Sequence, residues 1–153
     1  MKAYRCFLLS AAAAAALACG TVTAVAAPDD VAPLATINAE QYTIEVTAAP
    51  VTVGADASFQ VKVAAKGGFK FNQAFPTKLK LGAAPDGLQF PKPKLKKGDG
   101  TASADGKSFV FDVPVKATRA GQFPFDAVLK FSVCNDDKCV VQRKKLKSSI
   151  TAR

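Results

Sequence analysis

The chain has 153 residues and a formal net charge of +9, and it contains no histidine and no tryptophan. Without histidine, Ser-His and Cys-His catalysis are excluded, and the usual zinc and copper sites lack their imidazole ligands. The single methionine is the initiator Met1, so a copper(I) site of cysteine and methionine has no thioether. We therefore expect no metal and no other cofactor.

The amino terminus has the organisation of a secretory signal peptide. Lys2 and Arg5 precede an apolar, alanine-rich run that ends in the Ala-x-Ala cleavage site Ala24-Val25-Ala26. The run is shorter than the roughly 20 residues that span a bilayer. We predict a signal peptide over residues 1–26 and a periplasmic or secreted bacterial protein. The sequence around Cys19 faintly resembles a lipoprotein cleavage site, so a lipid anchor on Cys19 is the alternative.

Cleavage removes the first two of the four cysteines and leaves about 127 residues, enough for one domain with a hydrophobic core. Residues 27–39 are rich in alanine, proline and aspartate, and we predict a flexible leader there. The remaining residues, 40–153, are predicted to form a single domain.

The domain is predicted to consist of strands. Alternation of apolar and polar residues marks strands with one buried and one exposed face. Such alternation recurs in seven segments: 42–47, 59–64, 69–71, 78–81, 109–116, 123–133 and 140–152. Residues 82–107, rich in proline and glycine, are predicted to be loops around one short strand near residues 88–90. Pro114 and Pro124 fall on outward positions, which edge strands and bulges tolerate. The pattern favours an all-β, antiparallel β-sandwich.

Cys134 and Cys139 bracket the most informative segment, Asn-Asp-Asp-Lys. Asparagine and aspartate side chains bond nearby backbone amides, so these four residues predict a hairpin loop with the two cysteines nearly opposite each other. Because Phe131 and Val133 occupy the buried positions of the preceding strand, Cys134 is expected to point to the other face. A partner protein can reach a cysteine there.

In an oxidising compartment this pair is either a structural staple or a redox centre. A loop of about six residues gives roughly 2 kcal/mol of stabilisation in the chain-entropy model, and the hairpin turn already restrains these ends. Lys138, Arg143 and Lys144 are expected to favour a thiolate, whereas Asp136 and Asp137 oppose it. The residues by themselves leave both interpretations open.

The segment Phe131 to Val141, FSVCNDDKCVV, resembles the cysteine hairpin of the amino-terminal periplasmic domain of DsbD, a membrane thiol–disulfide reductase. Residues 68–79, GFKFNQAFPTKL, resemble the aromatic strand and proline-bearing segment of the same family. The resemblance covers roughly residues 40–152. It implies an immunoglobulin-like β-sandwich, as in stand-alone bacterial relatives of that domain.

The resemblance also implies a function. Cys134 and Cys139 would exchange electrons, receiving them from a thioredoxin-like partner and passing them to extracytoplasmic proteins. Phe69, Phe71 and Phe75 would belong to a region that shields the pair. The protein would then be a protein-disulfide reductase or redox carrier.

The chain departs from the family pattern in several respects. Four residues separate the cysteines where the best-known DsbD domains have five, and Val140-Val141 stands where Pro-Pro is frequent. Tyr42 is the only tyrosine after the signal peptide. The alternative function is therefore a non-enzymatic extracytoplasmic binding or structural module with a static hairpin disulfide.

Two basic runs, residues 92–97 and 143–147, account for much of the positive charge. Such runs bind nucleic acid, anionic lipid or acidic polymers in other proteins. The first lies in a predicted loop and the second in a strand whose alternate charges face water. We expect a solvated basic face, with weak contact to a polyanion or an anionic membrane surface as the alternative. We expect no nucleic-acid partner and a monomer.

Overall fold

The computed structural model describes residues 33–153, in which strands and turns predominate. Within that range no helix is long and apolar enough to cross a membrane. The strands, numbered in chain order, are β1 (Ala35–Asn38), β2 (Tyr42–Ala48), β3 (Asp56–Ala65), β4 (Lys70–Phe71), β5 (Lys78–Leu81), β6 (Leu88–Gln89), β7 (Lys94–Lys96), β8 (Gly100–Ala102), β9 (Ser108–Ala117), β10 (Gly121–Cys134) and β11 (Cys139–Ala152). A 3-10 turn, Lys97–Asp99, joins β7 to β8.

The strands form two antiparallel sheets. The first has the order β1-β2-β3-β9-β6, with β8 also paired to β9, and the second has the order β11-β10-β5-β7, with β4 paired to β10. The segment after β2 crosses to the second sheet, where Val51 forms a parallel bridge with Ala152. This division of the strands is that of an immunoglobulin-like β-sandwich, so the predicted fold is confirmed.

The core lies between the sheets and is filled by the inward residues of both. Phe59 and Phe111 of the first sheet and Phe131 of the second are almost completely buried. Tyr42 in β2 packs edge-on against Phe131, with ring centroids 4.9 Å apart. The Tyr42 hydroxyl also donates a hydrogen bond to Gln142 Oε1 in β11 (3.3 Å), so this residue ties the sheets together.

The structure corrects the predicted leader at its carboxyl end. Residues 35–38 form β1, an edge strand in which Ile37 lies opposite Ile44 of β2. The strand was missed because its alternation extends over only four residues, which is too short to stand out from the loop-like composition before it. Residues 1–32, which include the predicted signal peptide and Cys19, lie outside the described residues.

The predicted loop region 82–107 also contains more strand than expected. Part of the basic run 92–97 is β7, in which Leu95 is buried and lies opposite Leu79 of β5. A single leucine between lysines gives too little periodicity for a prediction. β8 begins at Gly100, where any side chain would collide with the ring of Phe109 on the paired strand.

Both strand prolines occupy stretches that are paired on one side only, as predicted. Pro114 lies opposite Ser58 of β3, while on its other side β9 passes between the segments that pair with β8 and β6. Pro124 lies in β10 before the stretch that pairs with β5. A missing N–H at these positions leaves the ladders intact.

Candidate functional site

The predicted cysteine hairpin is present at one end of the second sheet. Cys134 ends β10, Cys139 begins β11, and the two residues lie directly opposite each other. They form a disulfide with an S–S distance of 2.02 Å and a Cα–Cα distance of 4.0 Å. The hairpin therefore holds the two sulfur atoms together at the mouth of its turn.

The side chain of Asn135 closes this turn. Its Oδ1 accepts hydrogen bonds from the backbone N–H groups of Asp137 (3.2 Å) and Lys138 (2.9 Å), and its own N–H donates to the carbonyl of Lys138 (3.0 Å). The next pair along the ladder, Cys134 and Cys139, is then a non-hydrogen-bonded pair, in which facing residues approach most closely. The local sequence thus sets the register that the disulfide requires.

The two cysteines differ in exposure. Cys139 is exposed, whereas Cys134 is half-buried. The hydroxyl of Ser132, a fully buried residue on the same face of β10, lies 3.9 Å from the Cys134 sulfur. β11 is the outer strand of its sheet at this end. A protein approaching from solvent therefore reaches the Cys139 sulfur more readily than the Cys134 sulfur.

The two-residue strand β4 lies against the other side of Cys134. Lys70 is directly opposite Cys134, and Phe71 is opposite Val133. Facing residues in an antiparallel pair project to the same side, so the Lys70 ammonium group shares the outer face with the Cys134 sulfur. Sequence analysis missed Lys70 and Ser132 as site residues, and the only available signal for Lys70 was its position between two phenylalanines.

The three phenylalanines predicted to shield the cysteine pair occupy different environments. Phe71 is buried, and its ring stacks on Phe109 with centroids 4.6 Å apart, so it is a core residue, and its shielding role stays a prediction. Phe69 is partly buried against the core. Phe75 is partly buried, with the Lys130 ammonium group 5.6 Å from its ring centroid. Shielding by Phe69 and Phe75 stays a prediction.

A depression of about 400 Å³ opens beside Cys134. Its lining combines β4, the turn before β9 and the hairpin turn: Gly68, Lys70, Phe71, Asn72, Gln73, Gly106, Cys134, Asn135 and Asp136. The depression is open to solvent, and both polar and apolar groups line it. It suits contact with a loop of another protein.

The charges near the disulfide differ from the sequence-based expectation. Lys70 and Lys138 lie close to the cysteines, as do Asp136 and Asp137. Arg143 and its neighbour Lys144, however, lie four and five residues along β11 from Cys139, or about 13 Å and 17 Å at the rise of a strand. Salt screens exposed charges over about 10 Å, so these two contribute little to thiolate stability.

The described residues contain no cluster of three or more histidine, cysteine, aspartate or glutamate side chains that could hold a metal ion.

No protein-family model matches the chain, and no curated protein matches it. Among solved structures, the chain is similar to AggA, the major subunit of aggregative adherence fimbriae type I from Escherichia coli. The similarity has a TM-score of 0.39 and 17% sequence identity, and it covers 73% of this chain and 94% of AggA.

Proposed function

We propose that the protein is an extracytoplasmic thiol–disulfide exchange domain of the DsbD amino-terminal type, acting through Cys134 and Cys139. The observation that carries the proposal is the unequal exposure of the two cysteine residues in a hairpin disulfide at the surface. Such a short-range bond adds little to stability, since the turn and the β10–β11 ladder already hold its ends together. Its accessibility is then better explained by reactivity than by stapling.

The first step is reduction of the domain by a dithiol partner of the thioredoxin-like class. A thiolate of the partner attacks the exposed Cys139 sulfur, the Cys139–Cys134 bond breaks, and Cys134 leaves as a thiolate. Lys70, opposite Cys134, stabilises that negative charge. The partner's second thiol then attacks the mixed disulfide, so the partner becomes oxidised and Cys139 is released as a thiolate.

The second step passes the two electrons to a substrate protein. The Cys139 thiolate attacks a substrate disulfide and forms a mixed disulfide, with one substrate sulfur leaving as a thiolate that takes up a proton. The Cα atoms of Cys134 and Cys139 are 4.0 Å apart, so the Cys134 thiolate lies close to the Cys139 sulfur and then attacks it. This attack restores the Cys134–Cys139 disulfide and releases the reduced substrate.

The reduction potential of the pair tests the proposal against a static disulfide. We expect a value in the range of exchanging proteins, between about −120 and −270 mV, measured by equilibration of the mature protein with glutathione or dithiothreitol buffers. A value well below about −300 mV would mark a structural disulfide and reject the exchange function in favour of a binding or structural module.

Trapping tests the assignment of the two sulfurs. Cys134→Ser leaves the exposed Cys139, and its matched control Cys139→Ser leaves the half-buried Cys134. The remaining thiol of each variant is first converted to a mixed disulfide with thionitrobenzoate, which a thioredoxin lacking its resolving cysteine then displaces as the leaving thiolate. We expect the first variant to form several-fold more mixed disulfide with this thioredoxin, as seen on a non-reducing gel. Equal trapping by both variants would contradict the assigned order of attack.

A further inference from the structure

The outer face of the second sheet carries a row of positive charges that crosses all four of its main strands. Arg143 lies opposite Lys130, Lys130 lies opposite Lys78, and Lys78 lies opposite Lys96. All four side chains are exposed. The row brings together both basic runs of the sequence and two lysines that belong to neither.

A second row lies one step further along the strands. Lys145 and Lys80 flank Val128, and Lys94 lies beyond Lys80. In the third row, Lys147 faces Asp126, the one acidic residue among the outward positions of these four strands. The positive charge of this surface, which we call the cationic face, is therefore almost unbalanced.

The arrangement is unfavourable for folding. Like charges directly opposite each other on neighbouring strands destabilise a sheet. The cationic face contains such pairs at Lys130–Arg143, Lys130–Lys78, Lys78–Lys96 and Lys80–Lys94. Both ion pairs found within residues 33–153 use other lysines. An anionic ligand would relieve this repulsion, so the face has the properties of a binding surface.

The shape of the cationic face indicates which class of anionic ligand it can bind. Val128 is a short side chain between the long side chains of Lys80 and Lys145, so it forms the floor of a short trough. Lys130 and Asp126, the outward residues on either side of Val128 in β10, close the trough at its two ends. A depression of about 380 Å³, lined in part by Lys78, Lys80, Lys130 and Arg143, lies in this trough. The two walls belong to β5 and β11, which lie on either side of β10. These two strands are about 10 Å apart, because adjacent strands are separated by about 4.8 Å.

We propose that the cationic face binds a linear acidic polysaccharide, one unit of which lies in the trough with its anionic groups directed to both walls. A bilayer is flat and would contact the raised lysines without entering the trough. An extended peptide binds at the free edge of a sheet, through backbone groups that β10, paired with β5 and β11 on either side, does not offer here. The residues that line the trough include no aromatic side chain on which bases could stack.

The test compares two variants of the mature protein that lose the same charge. The triple variant Lys80→Gln/Arg143→Gln/Lys145→Gln removes cations from both walls of the trough. Its control, Lys62→Gln/Lys107→Gln/Lys116→Gln, removes two exposed lysines and the half-buried Lys116, all outside the cationic face. Binding to heparin and to polygalacturonate is measured by calorimetry at about 0.15 M ionic strength, together with binding to phosphatidylglycerol vesicles and to a short DNA duplex.

We expect the wild-type protein to bind at least one polysaccharide more tightly than the vesicles or the duplex. The trough variant should bind about tenfold more weakly, whereas the control should bind nearly as well as the wild type. Equal weakening of both variants would show general attraction by net charge and overturn the proposal. Tighter binding to the vesicles or to the duplex, or no binding to either polysaccharide, would overturn it as well.

Discussion

Charged residues are arranged differently on the outer faces of the two sheets. On the first sheet, charged residues meet complementary groups: Lys62 lies opposite Glu45, and Lys116 forms an ion pair with Asp56 at 3.5 Å. On the second sheet, lysines face lysines, as Lys78 and Lys96 do. Opposite charges across strands stabilise a sheet and like charges destabilise it, so only the first face is arranged for stability.

The second sheet also carries the disulfide, at the end of the same two long strands that form the cationic face. Cys134 and Lys130 lie on the same side of β10, four residues apart, which is about 13 Å. The two proposed activities therefore share one face of the molecule. The first sheet, by this comparison, acts as the scaffold against which the second sheet packs.

The largest expected effect on stability distinguishes a buried from a partly exposed phenylalanine in the segment that was predicted to shield the cysteines. Phe71→Ala should lower the free energy of unfolding by about 3–5 kcal/mol, because the ring is buried and stacked on Phe109. Phe75→Ala, the matched control, should lower it by only about 1 kcal/mol, because that ring is partly exposed and its named contact is with Lys130. Urea unfolding measures both values, and similar losses would contradict the core assignment of Phe71.

The sequence was sufficient for those features that depend on neighbours along the chain. The hairpin could be predicted because Asn135 and the alternation on both sides of it are local signals, and the sandwich followed from similar alternation elsewhere. β1 and the β7 strand around Leu95 were too short to give such a signal.

Lys70 and the cationic face were missed for a different reason, because they depend on which strands pair across the sheet. Lys70 reaches Cys134 only because β4 pairs with the end of β10, far along the chain. In the same way, Lys78 faces Lys130 because β5 pairs with β10. No local pattern specifies these partners, since register between distant strands is set by the packing of the whole core. The basic runs were visible in the sequence, but the two-walled trough was not.

Removing one lysine from each sheet should change the free energy of unfolding in opposite directions. This smaller effect tests the difference in charge arrangement between the two sheets directly. Lys78→Gln removes a charge that lies between Lys130 and Lys96, so it should raise the free energy of unfolding by about 0.2–1 kcal/mol at low salt. Lys62→Gln removes a charge opposite Glu45 and should lower it by a similar amount. Both are measured by urea unfolding. Since salt screens exposed charges, both changes should shrink in about 1 M NaCl. A lower free energy of unfolding for Lys78→Gln than for the wild type would contradict the claim that like charges destabilise the second sheet.

The smallest expected effect concerns Asp99, which lies at the border of the cationic face just after β7. Its carboxylate accepts a hydrogen bond from the Lys92 ammonium group (2.5 Å) and another from the backbone N–H of Lys96 (2.8 Å). The Lys92 hydrogen bond, followed by that from Lys96, holds the pKa of Asp99 below its ordinary value. Because the pKa is lower in the folded state than in the unfolded state, the ionised carboxylate stabilises the fold above about pH 4.

This stabilisation should disappear as the pH falls through the folded-state pKa of Asp99, where the carboxylate becomes protonated in both states. The two hydrogen bonds are accepted by different oxygens of the carboxylate, Oδ1 from Lys92 and Oδ2 from Lys96. Asp99→Asn keeps one carbonyl oxygen, as the protonated carboxyl group does, and has no charge to titrate. We therefore expect the wild type to be more stable than Asp99→Asn at pH 6 and the difference to vanish toward pH 2, as measured by urea unfolding across that range. A difference that is unchanged at low pH would mean that hydrogen-bond geometry, and not charge, stabilises this border of the cationic face.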